Sequence, residues 1–499
     1  MAQAATAAKP KPQKAEHFDV LVVGAGISGV GAAYHLTKQC PDTSFVVLEM
    51  YENFGGTWWM HRYPGIRSDS DLYTFGYRFK PWVGNPIATA DEILKYMGEV
   101  IEENDLGPHI RYKHKITSAS WDSKANLWTL EALRTDTNEK LTFTANFLWM
   151  CQGYYRHSQG YTPQWKGMDK YKGKIIHPQT WPEDLDLKGN NVICIGSGAT
   201  TATVVPAIAA DCKHVTVIQR SPTYFIPARN ANDLADVLRQ IEVSEEWIHE
   251  IVRKKILYDQ AQLTTRAFNE PEAVKAELLA AAEMFLGPEE VKKNFTPKYR
   301  PWQQRIAFIP DGDLFQGIRA GKASVITDEI ESFTETGVLL RSGQKVDGDV
   351  IITATGFNLS ALGDIPFTID GKKLDFHDTI TYRGMMFTGI PNMLWVMGYF
   401  RASWTLRVDL LGDFTCRLLN HMKAKGKHRV SVALRPEDKD MPILDWMDPN
   451  NFNPNYLMRS MHLLPRRGNK PEWQHTQDYW VEKDQIPAID LDGKEFVYA

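Results

Sequence analysis

Asp19-Val-Leu-Val-Val-Gly24-Ala-Gly26-Ile-Ser28-Gly29 runs from a short apolar, β-branched segment into a glycine-rich turn. Such a run is what a fully buried parallel strand carries. An apolar-periodic stretch through Ala33, Leu36 and Cys40 follows, and Ser44-Phe-Val-Val-Leu-Glu49 then predicts a second strand ending in an acid. Strand, glycine turn, helix and acid-tipped strand form the context in which Gly-x-Gly-x-x-Gly binds a dinucleotide. Gly24 permits the tight turn, Gly26 lets backbone approach a pyrophosphate, and Gly29 lets helix and strand pack closely. Ser28 stands in the same turn. The helix N-terminus faces the phosphates with its partial positive charge. Glu49 accepts from a ribose diol and repels a 2′-phosphate, so this site is expected to hold FAD or NAD.

The same grammar recurs at Asn191-Val-Ile-Cys-Ile-Gly196-Ser197-Gly198-Ala199-Thr200-Thr201, with a following strand His214–Gln219. Thr201 replaces the third glycine, which predicts looser helix–strand packing. The strand ends in Gln219-Arg220-Ser221 rather than in an acid. A guanidinium with hydroxyl support suits a 2′-phosphate, so the second site reads as NADP(H). Two dinucleotide sites on one chain imply hydride transfer from NADPH to a flavin.

Composition narrows the rest. Lys plus Arg total 57 against 61 Asp plus Glu, a formal net charge of −4, without the clustered basic excess of a nucleic-acid binder. The five cysteines contain no Cys-x-x-Cys pair, which argues against a zinc ribbon and against a thioredoxin-like dithiol. It also leaves oxygen, rather than a disulfide, as the acceptor for a reduced flavin. Scattered cysteines fit a reducing, cytoplasmic setting. No apolar run reaches transmembrane length. Residues 1–16 lack the apolar core of a secretory signal and read as a disordered leader. Residues 231–295, rich in Ala, Glu, Leu and Lys, read as several helices.

The expected fold is α/β, with two Rossmann-like domains and a helical insertion. An FAD domain is built from 17–155 and 346–499, the latter also supplying pocket loops. An NADP domain comprises 156–224 and 301–345, interrupted by helices over 225–300. Linkers are expected near 153–165 and 343–349. Leu410, Leu411, Phe414 and Met385-Met386-Phe387 are apolar pocket candidates, although such residues are more often core.

Three further segments carry a family resemblance. Gly55-Gly56-Thr57-Trp58, Arg62-Tyr-Pro-Gly65 and Asp69 resemble the corresponding segment of type I Baeyer–Villiger monooxygenases, a branch of the class B flavin monooxygenases. Tyr171-x-Gly173-x-x-x-His177-x-x-x-Trp181-Pro182 is similar to that family's long fingerprint, with Tyr in place of Phe. Ala354-Thr-Gly356-Phe357 resembles the wider class. Arg62 to Asp71, Ile176 to Gln179, Gly196 to Thr200 and Ala402 to Thr405 are similar to the ethionamide-activating subgroup.

The resemblance implies FAD and NADPH as cofactors, no metal, and an FAD peroxide that oxidises a ketone to an ester or lactone with O2, with sulfides as a second substrate class. It implies Arg305, in Trp302-Gln-Gln-Arg305…Asp313, as the fixed catalytic cation, and Asp69 as the carboxylate that orients it. Arg67 and Ser68 are candidates for the nicotinamide end. His177 reads as a hinge, and Trp181 as a residue at the domain junction near NADP. Asp69 could alternatively cap a helix at Leu72. Gln304 departs from the Lys that some relatives place before this arginine, which shifts 2′-phosphate recognition onto Arg220 and Ser221. Two other readings remain open at this point: a heteroatom monooxygenase without ester formation, and a non-enzymatic NADPH/FAD redox sensor.

Overall fold

The computed structural model describes residues 15–499, so nearly all of the expected leader lies outside the described residues; Glu16 already begins a strand. Strand β1 (Glu16–Val23) is central in a nine-stranded sheet. It pairs in parallel with β2 (Phe45–Leu48) on one side and with Lys140–Met150 on the other, and Val20, Leu21 and Val22 are completely buried. That double-sided burial is why the run is apolar without alternation. Helix α1 (Ile27–Gln39) returns the chain between the two strands, starting at Gly26 without a side-chain cap.

A second sheet is five-stranded and wholly parallel. Its order is Ala323–Thr327, β4 (His214–Gln219), β3 (Asn191–Ile195), Val350–Thr353, Lys174–Ile176. Helix α2 (Ala199–Ala209) links β3 to β4. The strand Val350–Thr353 therefore belongs to the second sheet rather than to the FAD-side segment expected from residue 346. The crossing also falls elsewhere than at 343–349. It is an antiparallel ribbon of Tyr155–Gly160 against Phe357–Leu359, two strands that leave the two sheets side by side.

Four helices, Asp233–Gln240, Glu245–Asn269, Pro271–Leu286 and Pro288–Asn294, interrupt the second unit. They begin after a short strand, Phe225–Ala228, paired with Ala307–Pro310, so the expected insertion opens extended and turns helical at the Asn232 cap. Buried Arg253 fastens this bundle to the first unit. It donates to the carbonyls of Tyr73, Thr74 and Gly76 at 2.9, 3.2 and 3.0 Å, at the C-terminus of the helix Leu72–Phe75, where a cation is favoured.

Met385, Met386, Phe387, Leu411 and Phe414 are at most 1% exposed and Leu410 8%; all pack in the core and none lines the central cavity. Among the described residues no helix is long and apolar enough to cross a membrane, and no three His, Cys, Asp or Glu side chains group as metal ligands.

Candidate functional site

A cavity of about 330 Å³ lies where the two glycine turns, the Arg-Tyr-Pro-Gly loop and the C-terminal segment converge. A neighbouring cavity of about 530 Å³ shares Gly24, Glu49, Gln152 and Tyr155 with it and extends along the edge of β2.

The first turn has the shape of a dinucleotide cradle. Gly24 has φ +96°, and a Cβ on Gly29 would lie 1.8 Å from the Gly24 carbonyl oxygen. Gly26 faces Gly56, whose own φ is +54°, so two backbones close over the turn without side chains. Glu49 is 4% exposed. Its carboxylate accepts from the Ala25 and Tyr51 N–H groups at 2.8 and 2.9 Å, and burial pushes its pKa up. Among the described residues no cation pairs with it, so Glu49 is suited to the neutral hydroxyl donors of a ribose. Ser28 lines the cavity and accepts from Trp404 Nε1 at 2.8 Å; Gly56, Thr57 and Trp58 line it opposite. These residues fit FAD.

The second turn is wider. Gly196 has φ +136° and packs on the Ala354 carbonyl, while a Cβ on Gly198 would meet nothing within 4 Å. Thr201 is buried, with its hydroxyl near the Cys194 sulfur at 3.9 Å. Ser197 donates to the Ser221 carbonyl at 2.7 Å. Ala199 and Thr200 reach the cavity, whereas Arg220 and Ser221 are exposed at the end of β4. Uncapped N–H groups at the start of α2 and a free guanidinium at the strand end fit a phosphorylated dinucleotide.

Between the turns, Arg305 and Asp69 form a two-pronged pair, Nε to Oδ2 at 2.5 Å and Nη2 to Oδ1 at 2.6 Å. Enclosure opposes the guanidinium's charge, but Asp69 more than offsets this and holds its pKa above the ordinary value. Both side chains line the cavity. The helix cap weighed for Asp69 falls to Asp71, which accepts from the Tyr73 N–H at 2.9 Å.

Four other sequence candidates sit differently. Arg67 lines the cavity but spends its guanidinium on Asp313, at 2.6 and 3.1 Å, and on the Ala202 carbonyl at 3.2 Å, clamping the loop to the second unit. Ser68 is buried away from the cavity, its hydroxyl locked to the Ser70 backbone. His177 donates from Nε2 to the Gly356 carbonyl at 2.9 Å and accepts from the Gln179 N–H at Nδ1, and burial lowers its pKa. It therefore holds the crossing ribbon rather than facing the cavity. Trp181 lines a separate outer cleft with Pro64 and Leu185. Gln304 reaches Asn453 at 3.4 Å.

Sequence reading missed the aromatic wall: Tyr154, Tyr155, Phe357, Trp404, Phe452 and Tyr456 all line the cavity. It also missed His61, whose Nδ1 donates to the Thr57 carbonyl at 3.0 Å and whose pKa burial lowers to about 4, keeping it neutral.

Residues 75–257 match the flavin-binding monooxygenase-like family, and residues 22–81 an NAD(P)-binding Rossmann-like domain. The chain is 44% identical to the FAD-containing monooxygenase EthA of Mycobacterium tuberculosis (strain H37Rv), over 93% of this chain and 94% of that one. It is 41% identical to the probable FAD-binding monooxygenase AlmA of Acinetobacter baylyi, over 96% and 95%. A steroid monooxygenase bound to NADP superposes with TM-score 0.74 at 23% identity, covering 97% of this chain and 99% of the other. A cyclohexanone monooxygenase does so with TM-score 0.74 at 20%, covering 97% and 100%. With two dinucleotide-type turns facing one aromatic-walled cavity, and with relatives alike over nearly their full length, this chain belongs to the flavin-binding monooxygenase-like family of FAD-dependent enzymes.

Proposed function

We propose that this flavin monooxygenase uses NADPH and O2 to convert ketones into esters or lactones, with sulfides as a second substrate class. The observation that carries the reading is the Arg305–Asp69 pair, held between two nucleotide folds and facing a cavity walled by aromatic rings. FAD, when bound, supplies electron transfer from NADPH and activation of O2.

The chain's own residues do the rest. Glu49 takes the ribose of the first nucleotide, and the N–H groups opening α1 and α2 take phosphate oxygens. Arg220 and Ser221 take the 2′-phosphate of the second. Arg305 is a permanent cation, because a guanidinium does not give up its proton at working pH. It therefore stabilises negative oxygen developing on a substrate without protonating it. Asp69 fixes the guanidinium plane, so that little reorganisation accompanies the reaction. The ring of Trp404, stacked on Tyr154 at 5.2 Å, and Phe452 keep water from the reacting centre. Membership of an enzyme family disfavours the redox-sensor reading.

A ketone and sulfide panel under labelled oxygen tests the proposal. Esters carrying one labelled atom are expected from ketones; a panel yielding sulfoxides but no ester would overturn ester formation and favour a heteroatom monooxygenase.

A further inference from the structure

Arg305 is held from a second side besides Asp69. Its Nη1 donates to the Phe400 carbonyl at 3.4 Å. The next residue along, Arg401, donates from Nε to the carbonyl of Trp302 at 3.1 Å, just upstream of Arg305. The loop that carries Phe400 and Arg401 joins the strand Met393–Trp395 to the helix Trp404–Ala424. It therefore touches both the guanidinium and the stretch of chain that bears it. The Phe400 ring also backs the cavity wall, stacked on Phe452 at 5.3 Å.

Backbone groups in a buried loop need partners, because no ladder supplies them. Here they come from the C-terminal segment. Gln477 is 8% exposed and does not line the cavity. Its Oε1 accepts from the Phe400 N–H at 2.8 Å, and its Nε2 donates to the Gly398 carbonyl at 3.1 Å. A backbone N–H can only donate, so this network settles which way the amide points. One planar amide thus fixes the backbone on both sides of Tyr399, immediately before the carbonyl that meets Arg305.

Gln477 makes these bonds from φ +53°, in the left-handed region that favours glycine. Trp302, at the other end of this run of contacts, has φ +62°. Strained backbone of this kind persists where surrounding contacts over-determine it, and it collects at functional sites. A glutamine standing where glycine would sit without strain points to a use for its side chain.

We infer that Gln477 is a positioning residue for Arg305: its amide sets the Gly398–Arg401 loop, and that loop holds the guanidinium and the Trp302–Arg305 segment in place. The inference rests on the proposed function for the role of Arg305 in oxygenation.

The test compares FAD-loaded native enzyme with Gln477→Leu and Gln477→Gly. The glycine variant removes the amide and also relieves the left-handed strain, so a merely structural role predicts unchanged turnover. Both variants should keep flavin. The kcat for oxygenated product, from whichever ketone or sulfide turns over, should fall about tenfold with KM within twofold. Hydrogen–deuterium exchange, read without turnover, should quicken in peptides covering Phe400 and in those covering Trp302–Arg305. On an Arg305→Ala background the glycine change should lower kcat no further, because residues acting as one unit are not additive. Three results overturn the inference: undiminished kcat in Gln477→Gly, a further tenfold loss on the Arg305→Ala background, or faster exchange confined to the Phe400 peptides. Full oxygenation by Arg305→Ala would instead break the proposed role of that arginine, and the exchange data would still decide whether Gln477 holds its segment.

Discussion

At Gly29, helix α1 approaches β1 so closely that a Cβ would lie 1.8 Å from the Gly24 carbonyl oxygen, whereas the matching turn of the second sheet accommodates Thr201, buried and close to Cys194. The polar ends differ too. Glu49 is enclosed and held by two backbone N–H groups, while Arg220 stands exposed at the tip of β4. The third glycine is thus a consequence of how near helix and strand come, not a condition for the strand–turn–helix itself. The tight turn encloses its acid, and the open one leaves its cation to solvent.

The largest effect should come from the residue between the two turns. Arg305→Ala is expected to keep flavin, because it touches neither cradle, and to lose oxygenation by at least about 100-fold, the scale of removing a fixed charge from a developing oxyanion; undiminished turnover would break the assignment. Gly29→Ala drives a methyl into backbone and should cost about 3 kcal/mol or more, seen as a lower melting temperature and loss of yellow colour. Arg220→Ala should raise the KM for NADPH about 10- to 100-fold by removing charge-assisted bonds, with the KM for NADH and the flavin content nearly unchanged. An equal effect on both nucleotides would remove the phosphate role. Thr201→Gly should be mildest, about 1 kcal/mol of thermal stability from helix propensity together with the loss of a buried side chain, with flavin retained; restoring the glycine should not tighten the second turn.

Much of the fold was legible because β1 and β3 are apolar on both faces and the turn chemistry follows at once. Sheet membership was less so. Val350-Ile-Ile-Thr reads as a strand, but only pairing with Val192–Ile195 assigns it to the second sheet. Asp69 and Asp71 stand two residues apart in one polar stretch, and the fold separates the partner of Arg305 from the helix cap. Ser68 and His177 lie within recognised segments, yet each spends its polar atoms on backbone. The aromatic wall was illegible because Tyr154, Phe452 and Tyr456 come from stretches without periodicity, brought together by contacts across some 300 positions.

The ribbon of Tyr155–Gly160 and Phe357–Leu359 joins the two units and also presents Tyr155 and Phe357 to the cavity. Pocket shape and the junction between the units are therefore written in the same few residues. Trimming Tyr155 or Phe357 to admit bulkier compounds would also remove packing from the ribbon that joins the units, so substitution at these positions touches substrate space and the junction together. Enlargement from the Phe452 side, off the ribbon, would leave the junction alone.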